Sequence, residues 1–255
     1  MAQHPTLRLR SHNINGFDSS HEFLVQECED NSFSVSAMQE HWLRPTYRKQ
    51  KGVHRLKSVH PNYDACGTSG MADQIDQRVM KGRPYGGTGF LFHKELTNSI
   101  RARVDFKHNR VTVMELSTRK ENILLINVYF PFYDAKHVQD QIATYRETVA
   151  FVSDIMISNP HHKFILLADL NCNIFNSSHP FTQMITNMMT EYDLVSSFDF
   201  STEFDSSHDY TRFDIKRKSF TLIDRFFLVV HFLHMLIHVL FFIHLTMFRI
   251  IYQLN

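Results

Sequence analysis

The chain has 255 residues, 43% of them hydrophobic and 21% charged, with a formal net charge of +1. That length and apolar share are enough to bury one sizeable α/β core, and the near-neutral balance excludes a protein that holds a polyanion by bulk charge alone. Three cysteines, Cys28, Cys66 and Cys172, are odd in number and lack paired spacing, which argues against a disulfide framework or zinc knuckle, and Met1 to Arg10 has no apolar core of the secretory kind.

Leu7 to Ile14 alternates leucine with arginine before the turn Asn13-Ile14-Asn15-Gly16, which predicts a strand whose C-terminal end carries polar groups. A helical stretch over about 19–30 follows, then a buried strand over 34–39 that ends at Glu40. From Arg44 to Pro84 periodicity is poor and charge is high, so a long loop with a functional role is expected. This segment carries one basic run (Arg44, Arg48, Lys49, Lys51, Arg55, Lys57); a second (Arg212, Lys216, Arg217, Lys218) lies near the last polar box. Such runs serve as solvated faces or as contacts to a phosphate backbone.

Residues 85–92 turn through glycines into a strand, without the Gly-Lys-Ser/Thr ending of a nucleotide P-loop. Residues 110–116 and 122–129 read as adjacent strands joined by a polar turn over 117–121. Val138, Ile142, Tyr145, Val149, Val152, Ile155 and Met156 recur at three and four residues, predicting a long amphipathic helix over 135–158 closed by Asn159-Pro160. Residues 164–168 form an apolar strand feeding Asp169, 180–192 a second helix, and 209–213 and 219–228 a further pair of strands. Strands mixed with helices, with several hairpin-like pairs, point to an α/β sandwich.

Five polar boxes each close an apolar run: Ser11-His12-Asn13-Ile14-Asn15-Gly16, Met38-Gln39-Glu40, Asn127-Val128-Tyr129-Phe130-Pro131, Ala168-Asp169-Leu170-Asn171 and Leu222-Ile223-Asp224. Taken singly, an Asp-x-Asn after a strand is commonly an Asx turn. Delivered together to one sheet edge, these side chains would hold a hard cation and a phosphate. His161-His162 reads as a polar loop before a strand.

In order and spacing the set resembles the endonuclease/exonuclease/phosphatase superfamily over residues 11–228. Gln39-Glu40-His41-Trp42-Leu43, Gly70-Met71 and Gly82-Arg83-Pro84-Tyr85-Gly86-Gly87-Thr88-Gly89 look like the endonuclease domain of non-LTR, LINE-type retrotransposons. The resemblance implies a four-layer α/β sandwich, two packed mixed β-sheets flanked by helices, incomplete at the C-terminus. It implies a metal site for Mg²⁺, or Mn²⁺ in its place, at Glu40, Asn13 and Asn15, with Asn15 standing where an acid is frequent and so removing one charge. It further implies that Tyr129 touches the scissile phosphate, that Asp169 and Asn171 orient or deprotonate the attacking water and bond the phosphate, and that Asp224 orients a histidine. The implied partner is duplex DNA, nicked to leave a 3′-hydroxyl, and the implied location is nuclear or cytoplasmic.

One part of that pattern is absent from the sequence: no Ser-Asp-His box follows Leu228. Losing one electrostatic donor at a reacting phosphate typically costs about 10²- to 10³-fold. Two readings therefore stand, an impaired Mg²⁺-dependent phosphodiesterase and a catalytically dead remnant with a binding role at most. Loss of a last core strand would also expose a sheet edge and predicts marginal stability. Residues 229–255 read as an appended hydrophobic tail, helical and rich in histidine. The stretch 226–248 holds no Asp, Glu, Lys or Arg and is long enough to span a membrane, although His231, His234, His238 and His244 within it are costly at that depth. An appended helix, a membrane anchor and a zinc site on one helical face all remain open for it.

Overall fold

The computed structural model describes residues 7–45, 53–71, 75–76, 79–80, 83–119, 121–196, 212–214, 219–221 and 224–229. Strand β1 (Leu9–Asn13) leads through helix α1 (Phe17–Glu29) to β2 (Val35–Gln39), which runs parallel to it. A 3-10 turn over Val53–Ser58 precedes β3 (Tyr63–Thr68); β4 (Ile75–Asp76) and β5 (Val79–Met80) form a two-rung ladder, and β6 (Thr88–His93) lies between β2 and β3. The second half contains β7 (Ile100–Ala102), β8 (Val111–Ser117), β9 (Asn122–Tyr129), α2 (Val138–Ser158), β10 (Lys163–Asp169), α3 (Thr182–Glu191) and β11 (Leu194–Ser196). It ends with the hairpin ladder of β12 (Arg212–Asp214) and β13 (Ser219–Thr221), and with β14 (Asp224–Val229).

Two mixed sheets result, a four-stranded one in the order β1-β2-β6-β3 and a six-stranded one in the order β11-β14-β10-β9-β8-β7. Strand β9 shows how the sequence builds them. Ile123, Leu125 and Asn127 point toward the other sheet, while Leu124, Ile126 and Val128 point toward α2, the period of two that a strand buried on both faces requires. Leu9, Val35, Ala37, Phe90 and Phe92 meet Met114, Leu125, Ile165 and Leu167 between the sheets. Helix α1 covers the outer face of the smaller sheet through Phe17, Leu24 and Cys28, and α2 and α3 cover the larger one through Tyr145, Val152, Ile155, Ile185 and Met188. This is the four-layer α/β sandwich expected from the sequence. Fully buried Leu166 shows how tightly it is packed, since truncation at such a position costs about 2–5 kcal/mol.

Several expectations need correction. The segment 44–84 is not simply a loop, because it contains the 3-10 turn, β3, β4 and β5. Strand β3 escaped notice because its sequence, Tyr-Asp-Ala-Cys-Gly-Thr, has few strand formers and buries only Tyr63 and Ala65. The edge strands β7 and β11 have three residues each and leave no periodic signal. Helix α2 starts at Val138 rather than 135. The stretch 219–228 divides into β13 and β14, and β14 runs on through Val229, pairing with β10 on one side and β11 on the other. Residues 226–229 of the apolar stretch are therefore sheet, while 230–255, with the tail histidines, lie outside the described residues. Among the described residues no helix is long and apolar enough to cross a membrane. All three cysteines are free, with Cys28 and Cys172 buried.

Candidate active site

Strands β1, β2, β9 and β10 bring their C-terminal ends to one edge of the sandwich. There the Asn13 amide nitrogen donates to Glu40 Oε1 and to Asp169 Oδ2, both at 2.9 Å. Asn13 Oδ1 in turn accepts the Asn15 backbone N–H at 2.9 Å. The second oxygen of each carboxylate is also engaged: Glu40 Oε2 accepts from Trp42 Nε1 at 3.1 Å, and Asp169 Oδ1 from the Asn171 N–H at 3.1 Å. Asp169 is fully buried and Glu40 half-buried. Two carboxylates from different sheets thus share one neutral donor.

The backbone is bent to make this possible. Of six described non-glycine residues with positive φ, four are Asn15 (47°), Glu40 (55°), Trp42 (57°) and Asn171 (48°). Asparagine tolerates the left-handed region; glutamate and tryptophan occupy it only when surrounding structure holds them there. The holding bonds run from Gly16 N to Glu40 O at 2.8 Å, from Phe17 N to His41 O at 3.0 Å and from Trp42 N to Gly86 O at 3.0 Å. Between the two strained residues, the buried His41 ring donates from Nε2 to Thr68 O at 3.0 Å and accepts the Leu43 N–H on Nδ1 at 2.9 Å. Gly87 lies against that ring so closely that a Cβ would come within 2.4 Å of it.

Tyr129 closes the site from β9, in register with Asp169 on β10. Its phenol bonds to Glu40, and burial, followed by the charge of Glu40, pushes its pKa well above the ordinary tyrosine value. The hydroxyl is therefore a permanent donor. Arg110 stacks over the same ring at 5.5 Å, its backbone O accepting the Tyr129 N–H at 3.0 Å. Burial lowers the Arg110 pKa, while Tyr129, Tyr85 and Glu40 favour its charge. Below the site, buried Gln39 donates to Asn127 Oδ1 at 2.7 Å, and Asn127 Nδ2 donates to Met38 O and Gly89 O at 3.0 and 2.8 Å, which pins the two sheets together.

The structure thus brings together Asn13, Glu40, Tyr129 and Asp169, with Asn171 beside them donating its amide to Phe130 O at 2.9 Å. Asn15 contributes a backbone N–H, and its side chain is exposed. Asp224 is in direct register with Asp169 across the β10–β14 ladder, and its side chain lies outside what is described. Arg110, Trp42 and His41 were not singled out from the sequence. The hairpin register could have located Arg110, since a turn pairing Ser117 with Asn122 places residue 110 opposite 129. Of the first basic run, Arg55 pairs with Asp18 and Lys57 with Asp64, so these charges are engaged on the surface; Arg48, Lys49 and Lys51 lie outside the described residues.

The donor set suits a hard cation. Glu40 brings a carboxylate and Asn13 a carboxamide to this edge, with the Asn15 backbone N–H bonded to Asn13, and among the described residues no three His, Cys, Asp or Glu side chains cluster as metal ligands. Magnesium keeps several waters and needs only one or two protein carboxylates, so it fits so sparse a set.

Fold and converging strand ends together define a four-layer α/β sandwich, the fold of solved endonuclease and phosphatase structures. The chain is similar to the AP endonuclease LMAP from Leishmania major, with a TM-score of 0.67 at 13% identity over 88% of this chain and 79% of that one. It is also similar to the endonuclease domain of TRAS1, a telomere-specific non-LTR retrotransposon (TM-score 0.60, 13% identity, 89% and 87% covered). A third similar structure is the Neisseria 3′ phosphatase NExo bound to a product DNA hairpin (TM-score 0.57, 16% identity, 88% and 87% covered). At these identities the likeness establishes the fold. No protein-family profile and no curated protein matches the sequence.

Proposed function

We propose that this chain is a divalent-cation-dependent phosphodiesterase that nicks DNA, of the kind found in the endonuclease domain of non-LTR retrotransposons. The observation that carries the reading is the convergence of Glu40 and Asp169 on the single amide of Asn13. Glu40, with Asn13 and Asn15, would hold Mg²⁺ or Mn²⁺, which when bound neutralises charge on the phosphate oxygens.

The remaining work falls to the chain itself. Asp169, oriented by Asn13 and the Asn171 N–H, accepts the proton of the attacking water. Tyr129, held neutral, would turn its single O–H from Glu40 to a phosphate oxygen as charge accumulates there. Asn171 keeps one N–H on Phe130 O, leaving its second for the phosphate. By the resemblance, Asp224, in register with Asp169 across the ladder, would orient a histidine. DNA as substrate is supported by the DNA-bound structural neighbour and the retrotransposon endonuclease domain.

Activity is expected to be weak. The sequence has no Ser-Asp-His box, and His41 cannot stand in for its imidazole because both ring nitrogens are engaged in the interior. That missing box also supports the second reading, a non-catalytic remnant with DNA binding at most. Supercoiled plasmid incubated with the protein and Mg²⁺ separates them. Slow nicking that stops with EDTA and with Asp169→Ala is expected; persistent absence of nicking, with DNA still bound, would favour the remnant.

A further inference from the structure

We infer that Arg83 and Arg110 are phosphate clamps, each seated on an aromatic ring that hydrogen-bonds Glu40, so that the site takes a nucleic-acid strand with phosphates beyond the scissile one rather than a small phosphate ester. The inference rests on the phosphodiesterase reading and deepens it by naming the residues that set its substrate class.

Two rings converge on the Glu40 carboxylate. Trp42 donates from Nε1 to Glu40 Oε2 at 3.1 Å, and the Tyr129 phenol bonds to the same carboxylate. Each ring carries an arginine. The Arg83 guanidinium lies 5.3 Å from the centre of the Trp42 ring, and that of Arg110 lies 5.5 Å from the centre of the Tyr129 ring. Both cations therefore stand one ring away from the carboxylate that Asn13 bonds at 2.9 Å. The rings themselves are fixed by their backbones, since Trp42 N donates to Gly86 O and Tyr129 N to Arg110 O, both at 3.0 Å.

Stacking of an arginine on an aromatic ring is common and by itself decides nothing. The pairing pattern is selective. Among the described residues five arginines lie over aromatic rings, namely Arg10, Arg55, Arg83, Arg103 and Arg110. Arg10 also pairs with Glu27, Arg55 with Asp18, and Arg103 with Asp105 and Glu115, whereas Arg83 and Arg110 form no ion pair with a described carboxylate. Glu40 and Glu147 are near enough to favour the charge of Arg110 without forming an ion pair with it. The two arginines left unneutralised are thus the two on the rings around Glu40. Stacking leaves the in-plane N–H groups of a guanidinium at its edge, the geometry that meets phosphate oxygens. Arg110 spends one such N–H on Tyr129 O at 3.5 Å, and Arg83 is exposed. A small ester brings one phosphate, which Tyr129, Asn171 and the ion already serve, and would leave both arginines without an anion. A strand brings a phosphate with every nucleotide.

The test measures binding of the full chain to a fluorescent DNA duplex, at fixed Ca²⁺, over a series of KCl concentrations. Each arginine that meets a phosphate contributes about 0.9 to the steepness of log affinity against log salt concentration. Arg83→Gln and Arg110→Gln should each make the slope shallower by that amount, while Arg83→Lys and Arg110→Lys keep it because the charge persists. A merely structural stack would leave the slope alone. Arg83 is exposed, so its variants keep the fold and decide the case if Arg110→Gln does not fold. An unchanged slope in either folded Gln variant, or no binding of DNA by the wild type, would overturn the clamps. Nicking of supercoiled plasmid with Mg²⁺ is read separately: nicking sensitive to Asp169→Ala with unchanged slopes removes the clamps alone, whereas shallower slopes without nicking remove the phosphodiesterase reading and leave two arginines that hold DNA.

Discussion

Glu40, at the end of a strand in the four-stranded sheet, and Asp169, at the end of a strand in the six-stranded sheet, accept hydrogen bonds from the same amide nitrogen at the same distance of 2.9 Å. Two sheets meet through that nitrogen. It separates two carboxylates that would otherwise repel.

Asn13→Asp should therefore invert the behaviour of the site. With EDTA present, a third carboxylate replaces the shared donor and the protein should lose about 1–3 kcal/mol. Added Mg²⁺ should raise the unfolding temperature of the variant more than that of the wild type. Thermal melts with and without the ion read both effects.

Tyr129→Phe removes a donor and little volume. Cleavage should fall by about 10²- to 10³-fold, with stability changed by no more than about 1 kcal/mol. Because burial and Glu40 raise the Tyr129 pKa above the ordinary value of 10.0, the phenol stays protonated throughout the working range. Its contribution to stability is complete below that pH and declines only under more alkaline conditions. Rate measurements to pH 10 should show no loss traceable to this group.

Acid should loosen the fold through its buried histidines. Desolvation pulls the His41 pKa from 6.5 down to about 4, and protonating Nδ1 would set a charge against the Leu43 N–H. A depressed pKa means that the unfolded chain takes up the proton first. Stability is thus full above pH 6.5 and drains as pH falls toward 4, by about 3 kcal/mol for His41. His12, buried near Arg10 with neither ring nitrogen bonded, shifts in the same direction. His12→Phe should flatten the acid limb of a stability curve measured from pH 7 to 4.

Much of this was legible before any coordinates. The polar boxes are visible because each interrupts an apolar run, and strands buried on both faces, such as Ile123–Val128, are hard to mistake. What escaped has physical reasons. Strand β3 is held by its neighbour β6 rather than by its own residues, and its Gly67 faces Gly89 of β6 where side chains would collide. His41 looks like any polar residue after Glu40 until its ring is seen bonded on both sides. Nothing in the sequence says that one Asn13 amide would reach two carboxylates in different sheets; that depends on how the layers dock.

Gly87→Ala tests the docking of the left-handed turn. Its φ of 90° suits glycine alone, and a Cβ would meet the His41 ring at 2.4 Å. Strain and overpacking together should cost at least about 1–3 kcal/mol, read as a lowered denaturation midpoint in urea. Cation affinity should fall with it, because the same turn holds Glu40.

The account stands or falls on Glu40 holding one ion beside Asp169. Titration of Mn²⁺ into the protein, followed by electron paramagnetic resonance, counts bound ions directly. One site is expected, weakened at least about tenfold by Glu40→Gln, the equivalent of about 1.4 kcal/mol, while Asp169→Asn stops plasmid nicking and keeps the ion. Unchanged affinity in folded Glu40→Gln would contradict it.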